Sequence, residues 1–203
     1  MLDLMRGSAA VGILTFHLSG QIKPLNALYI LVDFFFVLSG FVLYEQIPKR
    51  SNYSEFKKFM KKRINRLIPT AWFVIITSYL TYIIFDCLNL INSEQKLEIT
   101  GITFISALLF LQFIVPSSAV LLVPMWSLSV ELFMNLLVAL TGIHRKKIIV
   151  LALISALTLS ICILNDTKSN ATTGWEALSR GVYGFSCGVF ARFLFDENQH
   201  ISR

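Results

Sequence analysis

The 203-residue chain is poor in charge and in cysteine. Only 15% of its residues are Asp, Glu, Lys or Arg, whereas 55% are hydrophobic, and the mean hydropathy is +0.68. A soluble domain of this size carries more charge and fewer apolar residues. The three cysteines, Cys87, Cys162 and Cys187, lie in apolar surroundings and form no CxxC pair, which argues against a disulfide framework or a zinc site. We interpret them as small core hydrophobes.

Several signatures of enzyme and transport classes are absent from the chain. The chain has no HExxH motif, so a metallopeptidase has no support and no metal is expected. The run GFSCG at 184–188 has the GxSxG spacing, but it lies within an apolar block and not at the strand-to-helix turn of a nucleophile elbow, so a serine hydrolase has no support either. No Walker-type phosphate loop occurs, and there is no internal repeat of the kind found in many transporters. The first apolar block carries a histidine and lacks a small-residue cleavage site, so we interpret it as a permanent membrane span.

Long apolar blocks dominate the sequence, and most of them approach the roughly 20 residues that a helix needs to cross a bilayer. We therefore predict an all-α fold, a polytopic helical membrane protein in which about seven apolar helices form one bundle and one domain over residues 1–203. The predicted spans are 8–22, 27–47, 67–86, 101–123, 125–143, 148–164 and 177–195.

The basic residues are concentrated in one connection between spans. Eight of the 18 Lys and Arg lie between Lys49 and Arg66, and such enrichment beside two spans is typical of a cytoplasmic loop. The net charge of +6 therefore reflects membrane topology, and it implies a lipid bilayer rather than nucleic acid as the partner. The same rule places Arg6 in the cytoplasm.

The charge rule conflicts with the count of spans at one place. The run HRKK at 144–147 would lie outside if both 101–123 and 125–143 crossed the membrane fully. Pro116 and Pro124 bracket the run SSAVLLV. We therefore expect one of these elements to be broken or re-entrant, which is tolerated where the backbone is buried in protein.

Two arginines stand out within the basic connection. Apolar residues at spacings of three and four indicate a basic amphipathic helix on the membrane surface, and Arg63 and Arg66 project to nearly the same side of it. Two neighbouring guanidiniums suit a phosphate-rich ligand through bidentate hydrogen bonds. Lipid headgroups explain the same pattern, so the residues alone leave both ligands open.

The first span carries one cation and one imidazole. Arg6 and His17 are eleven residues apart, about three helical turns, so they share a helix face and are separated by roughly 16 Å along the axis. This spacing places Arg6 at the membrane surface and His17 near mid-depth. A histidine can take a proton from an alcohol near neutral pH, and the alternative is a core histidine bonded to a neighbouring carbonyl.

Two carboxylates also lie within predicted spans, where charged groups mark either a function or a buried pair. Asp33 and Glu131 could orient a catalytic imidazole. Alternatively, they could hold helices together by pairing with Arg6 or Arg180. Side chains beside Glu131 can donate hydrogen bonds to a substrate or to a developing oxyanion, and these are Trp126, Ser127 and Ser129.

Five segments, in the same order along the chain, resemble signatures of the acyltransferase-3 family. LDLMRGSAAVGILTFH (Leu2 to His17) resembles the family's LDGLRGLAA…H opening. VDFFFVLSGF (Val32 to Phe41) resembles its second-helix signature, and KKRINRLIP (Lys61 to Pro69) resembles its RxxR-type loop before the third helix. WSLSVE (Trp126 to Glu131) is similar to its WSLSVEE element, and RGVYGFSCG (Arg180 to Gly188) resembles a later R…GF..G helix.

The resemblance implies an integral-membrane O-acyltransferase, a multi-pass protein of the bacterial inner membrane. Such an enzyme transfers an acyl group, commonly acetyl from acetyl-CoA, to a carbohydrate hydroxyl of a sugar or cell-surface glycan. The resemblance implies a catalytic region with His17, Arg6 and Glu131, in which His17 either deprotonates the acceptor hydroxyl or relays the acyl group. It also places Arg63 and Arg66 against the cytoplasmic acyl-CoA donor, which is rich in phosphate. Substrate-contacting or supporting residues are then Asp33, Ser39, Trp126, Ser127 and Arg180.

The chain departs from the family pattern in three respects. Leu4 stands where the family usually has Gly, and Leu132 replaces the second glutamate of WSLSVEE. A typical member has more helices than the seven predicted here, so we expect this chain to lack the family's last helices. The alternative function is a non-catalytic membrane protein, either a scaffold or a transporter of a sugar or lipid intermediate.

Overall fold

The computed structural model describes residues 2–18, 25–46, 52–91, 99–115, 124–142, 145–164 and 174–201, which form helices joined by turns and irregular backbone. A short 3-10 helix, Leu25–Ile30, precedes the second of seven α-helices. The α-helices are α1 (Leu2–Leu18), α2 (Leu31–Leu43), α3 (Tyr53–Cys87), α4 (Gly101–Leu108), α5 (Met125–Thr141), α6 (Arg145–Leu164) and α7 (Gly174–Ile201). The prediction of an all-α protein with about seven helices is confirmed, and no strand occurs in these described ranges.

Helix α3 is long and apolar enough to cross a membrane. Its most apolar 18-residue window has a mean hydropathy of 1.7, and 17% of that window is buried. Within the described ranges no other helix meets both criteria, although three shorter apolar stretches cover Ala27–Leu43, Met125–Leu140 and Ile148–Ile161. The predicted span 8–22 coincides with α1 as far as Leu18, and the rest of that span lies outside the described residues.

The chain forms two compact units. Unit 1 consists of Met1–Arg50, Gly142–Asn170 and Ser179–Arg203, and within it α1 packs on α2 and on the 3-10 helix. Unit 2 consists of Ser51–Thr141 and Ala171–Leu178, and within it α3 packs on α4 and α5. The single domain expected over the whole chain stays a prediction.

Helix α3 joins two elements that the sequence separates. Asn52 caps its start by accepting a hydrogen bond on Oδ1 from the Ser54 amide (3.1 Å), and the helix then runs for 35 residues through Pro69 to Cys87. The basic amphipathic helix and the span predicted from residue 67 are therefore one continuous helix, about 52 Å long. The sequence suggests two elements because the basic residues end at Arg66 and the apolar block begins at residue 67.

Helix α4 ends after eight residues in a Schellman motif. The Leu111 amide donates to Ser106 O (2.9 Å), and the Phe110 amide donates to Ala107 O (3.1 Å). Phe110 takes the left-handed position of this motif with a φ of 58°, which is costly for a bulky residue. Its side chain is buried in the apolar core of unit 2, and that burial offsets the cost.

Side chains satisfy further backbone carbonyls at the end of α4. Trp72 Nε1 donates to Leu108 O (2.9 Å), and Gln112 Nε2 donates to Ala107 O (3.1 Å). Backbone carbonyls that a helix end leaves without a helical partner need such donors.

The predicted span 101–123 is consequently wrong, because α4 covers only about 12 Å. The expectation that one of the two elements in this region is broken is confirmed. The break begins at Leu109 rather than at Pro116, and residues 116–123 lie outside the described residues. The prolines mislead here because the stop depends on a turn and on side-chain caps that the apolar pattern does not reveal.

Helices α2 and α7 of unit 1 lie side by side and run in the same direction. Asp33 pairs with Arg180 and Glu45 pairs with Arg192, and the partners are 147 residues apart in both pairs. Asp33 and Glu45 are twelve residues apart, and so are Arg180 and Arg192; twelve residues span about 18 Å along a helix. The equal offset shows that the contact is parallel and in register.

Glycines bring the backbones of α2 and α7 into contact between the two ion pairs. A Cβ atom on Gly188 would collide with the carbonyl oxygen of Val37, and one on Gly40 would collide with that of Phe185. Gly184 and Gly188 form a GxxxG sequence, a spacing that lets membrane helices approach closely. Part of the RGVYGFSCG segment therefore serves helix packing.

Candidate active site

The predicted site residues divide between the two units. In unit 1 they are Arg6, His17, Asp33, Ser39 and Arg180. In unit 2 they are Arg63, Arg66, Trp126, Ser127 and Glu131.

His17 is exposed in the last turn of α1. Its ring makes a T-shaped contact with the neighbouring Phe16 ring, with 5.1 Å between the centroids. The alternative of a core histidine is therefore wrong. Because α1 begins at Leu2, six residues before the predicted span, His17 lies in the last turn of the helix rather than at its middle.

Arg6 lies on the same face of α1 as His17, as their spacing predicts. Its Nη1 atom donates to Asp3 Oδ1 at 3.2 Å, and the Asp3 side chain is 96% exposed. Exposed pairs of this kind contribute at most about 1 kcal/mol. Little free energy is therefore needed to release Arg6 toward another anion.

Asp33 forms a bidentate ion pair with Arg180. Arg180 Nε donates to Asp33 Oδ1 at 3.1 Å, and Nη2 donates to Oδ2 at 2.9 Å. The Arg180 side chain is only 7% exposed, and its guanidinium lies over the Tyr29 ring at 5.9 Å from the centroid. The interpretation of Asp33 as one half of a helix-joining pair with Arg180 is confirmed. Ser39 is half-buried on α2, directly before the close contact at Gly40.

The second ion pair between α2 and α7, which joins Arg192 to Glu45, was not predicted from the sequence. The Arg192 guanidinium also lies over the Phe41 ring at 5.2 Å from the centroid. A signal for it exists in the sequence, because the acid at 45 follows Asp33 by the same twelve residues that separate Arg192 from Arg180.

The two arginines of α3 have different environments. Arg63 is 5% exposed, and its guanidinium lies over the Phe59 ring at 5.4 Å from the centroid, whereas Arg66 is exposed. Cation–π packing of this kind holds a guanidinium in place. Arg63 is therefore a cation held in place by packing, whereas Arg66 reaches solvent. Their spacing of three residues does not reveal this difference.

Helix α5 carries the WSLSVE residues. Ser127 Oγ donates to Pro124 O and Ser129 Oγ donates to Trp126 O, both at 2.9 Å. Both hydroxyl protons thus form hydrogen bonds with backbone carbonyls of this part of the chain. That these serines donate hydrogen bonds to an oxyanion stays a prediction. Trp126 is buried, and Glu131 is half-buried one turn after Ser127 on the same side of the helix.

The family to which the chain belongs follows from comparison with known proteins. The sequence profile of the acyltransferase-3 family, described as an acyltransferase domain, matches residues 1–200. The chain belongs to this membrane-associated family of acyltransferases, as the five motifs predict.

Two relatives show how far the similarity extends. A protein assigned as the peptidoglycan O-acetyltransferase YrhL of Bacillus subtilis (strain 168) is 34% identical over 88 residues, which are 42% of this chain and 14% of the relative. The O-acetyltransferase OatA of Staphylococcus aureus (strain NCTC 8325 / PS 47) is 32% identical over 108 residues, which are 52% of this chain and 17% of the relative. The chain thus matches only 14% to 17% of the length of these relatives. No solved structure matches the chain.

Proposed function

We propose that the chain is an integral-membrane O-acyltransferase that transfers an acyl group, commonly acetyl, from acyl-CoA to a hydroxyl of a cell-wall carbohydrate. Family membership supports acyl transfer, and the two relatives are named as O-acetyltransferases, one of them for peptidoglycan. The observation that carries the proposal is the exposed His17 imidazole on the Arg6 face of α1. A general base must reach the hydroxyl that it deprotonates, and packing does not occupy this ring.

His17 acts on the acceptor hydroxyl in this mechanism. Its imidazole takes the hydroxyl proton while the oxygen attacks the acyl carbon of the thioester. The C–S bond then breaks, and coenzyme A leaves as a thiolate. Arg6 supplies positive charge on the same helix face, and Glu131 is the supporting acid on α5.

The phosphates of the donor bind at Arg63 and Arg66 of α3. Packing against Phe59 holds Arg63 in place, while Arg66 is exposed and can close on a ligand. Guanidinium groups bind phosphate through two parallel hydrogen bonds, which lysine cannot reproduce. A surface that attracted only lipid headgroups would respond mainly to charge.

Replacing both arginines with lysine distinguishes a site for the donor phosphates from a surface that only attracts lipid headgroups. We expect Arg63→Lys with Arg66→Lys to weaken acetyl-CoA binding at least about tenfold, roughly the contribution of one charge-assisted hydrogen bond. The measurement is acetyl-CoA affinity of the full chain in detergent. Lys61→Arg with Lys62→Arg, at exposed neighbouring positions, is the matched control and should bind like the wild type. Equal acetyl-CoA affinities for the wild type and the double lysine variant would show that the two arginines do not bind the donor and serve only to keep this segment in the cytoplasm.

The topology that we propose is multi-pass with residues 49–66 in the cytoplasm. Helix α2 then runs from outside to inside, and α7 does the same because the two helices are parallel. An odd number of crossings must lie between them. Helices α3, α5 and α6 supply three, since α4 is too short to cross. The run at 144–147 then returns to the cytoplasm, in agreement with its positive charge.

Single cysteines test this topology in a variant whose three native cysteines are replaced by alanine. We expect an impermeant thiol reagent to label Trp175→Cys, at the start of α7, in intact cells. Lys58→Cys and Lys146→Cys should react only after the membrane is opened. All three positions are exposed, so accessibility of the side chain is not limiting. Labelling of Lys146→Cys in intact cells would exclude the proposed order of crossings.

A further inference from the structure

Helix α5 buries a carboxamide that unit 2 leaves unsatisfied. Asn135 is 0% exposed, and neither its Nδ2 nor its Oδ1 atom has a hydrogen-bond partner in the described part of the chain. Buried polar side chains in native proteins are almost always hydrogen-bonded, because burying an amide without a partner costs free energy. The fold alone therefore gives no reason for an asparagine at this position.

Two other buried polar side chains of unit 2 show the contrast. Gln112 is 1% exposed, and its Nε2 atom donates to the Ala107 carbonyl at the end of α4, although its Oε1 atom has no partner in the described residues. Ser129 is 1% exposed, and its hydroxyl donates to Trp126 O. Both side chains stabilise local backbone, whereas Asn135 makes no such bond.

Asn135 continues a line of polar residues along α5. It follows Ser127 and Glu131 at intervals of four residues, so the three side chains lie on one side of the helix over about 12 Å. Ser127 and Glu131 are half-buried, and Asn135 is fully buried at the end of the line. Polar and ionisable residues within a membrane helix are costly, and a line of them that includes a carboxylate is a candidate functional site.

We propose that the Asn135 carboxamide binds the amide-bearing arm that links the phosphates of acyl-CoA to its thioester. This inference rests on the proposed function. An asparagine pairs with an amide in both directions, because Oδ1 accepts from N–H and Nδ2 donates to C=O. Uncharged amides can also enter a buried site at a lower desolvation cost than phosphates.

The position of Asn135 along α5 favours the donor over the carbohydrate acceptor. Asn135 is the eleventh of the 17 residues of α5, and in the proposed topology this helix enters the cytoplasm at its C-terminal end. The residue therefore belongs to the cytoplasmic half of the helix, the side from which acyl-CoA arrives. A cell-wall carbohydrate approaches from the opposite side.

Comparing the affinities of two ligands distinguishes binding of the amide-bearing arm from binding of the phosphates. Acetyl-CoA carries both, whereas adenosine 3′,5′-bisphosphate carries phosphates without the arm. For the full chain in detergent, we expect Asn135→Leu to weaken acetyl-CoA affinity about tenfold, which corresponds to about 1.4 kcal/mol. Affinity for adenosine 3′,5′-bisphosphate should not change. Met134→Leu, at the adjacent and equally buried position, is the control and should leave both affinities unchanged.

Thermal unfolding without ligand completes the test. Asn135→Leu removes an unsatisfied polar group, so the variant should unfold at the same temperature as the wild type or higher. Unchanged acetyl-CoA affinity, an equal loss for both ligands, or a lower unfolding temperature would each overturn the proposal. Failure of the proposed function gives a different result, since the wild type itself would then bind neither ligand.

Discussion

Replacing His17 with alanine is expected to lower acyl transfer about a hundredfold or more, the range that a general base contributes. The ring is exposed, and the contact described for it is with its neighbour Phe16, so folding and membrane insertion should be preserved. The measurement is O-acetylation of cell-wall carbohydrate in cells that express only the variant. Leu18→Ala, at the next position, which is also exposed, should retain wild-type acetylation.

The two variants together show whether a loss of acetylation comes from the missing imidazole or from damage to helix α1. Loss of acetylation in both would indicate damage to the helix rather than loss of a base. Wild-type acetylation in His17→Ala would remove His17 from the mechanism.

Replacing Asp33 with alanine is expected to lower the free energy of unfolding by about 3 kcal/mol, because Arg180 would remain buried without its counter-charge. Arg180 is 7% exposed in the bidentate pair, so water can compensate little of this loss. Glu45→Ala is the matched control, since it breaks the pair at the other end of the same two helices. Glu45 is 63% exposed, and we expect this variant to lose less than about 1 kcal/mol.

Thermal unfolding in detergent measures both losses. A double variant, Asp33→Leu with Arg180→Met, should recover most of the stability, because a buried ion pair can often be replaced by apolar residues of similar volume. Equal losses in Asp33→Ala and Glu45→Ala, or no recovery in the double variant, would show that the Asp33–Arg180 pair does not anchor α7 to α2.

Much of the fold could be predicted from the sequence because apolar length is a direct physical requirement of a membrane helix. The segments that became α2, α5 and α6 follow from it. Arg180 could be named as one of two partners for Asp33 because a charge within an apolar span needs an opposite charge. The end of α4 at Leu109 does not, since it depends on hydrogen bonds from Trp72 and Gln112. The continuity of α3 from the basic segment into the span that begins at residue 67 is also invisible in the sequence.

The candidate site shows the same division between local and tertiary information. Helical periodicity correctly places Arg6 and His17 on one face of α1. The difference between a buried Arg63 and an exposed Arg66 depends on packing, which a three-residue spacing does not encode. Asn135 carries no motif, and only its burial without hydrogen-bond partners in the described residues distinguishes it.

The central claim is that this chain moves an acyl group from acyl-CoA to a carbohydrate hydroxyl with His17 as the base. The most direct measurement supplies radiolabelled acetyl-CoA to membranes that contain the full chain, together with peptidoglycan, and follows alkali-labile label on the glycan. The account predicts label with the wild type and about a hundredfold less with His17→Ala. Absence of label from wild-type membranes that bind acetyl-CoA, or equal labelling by His17→Ala, would contradict it.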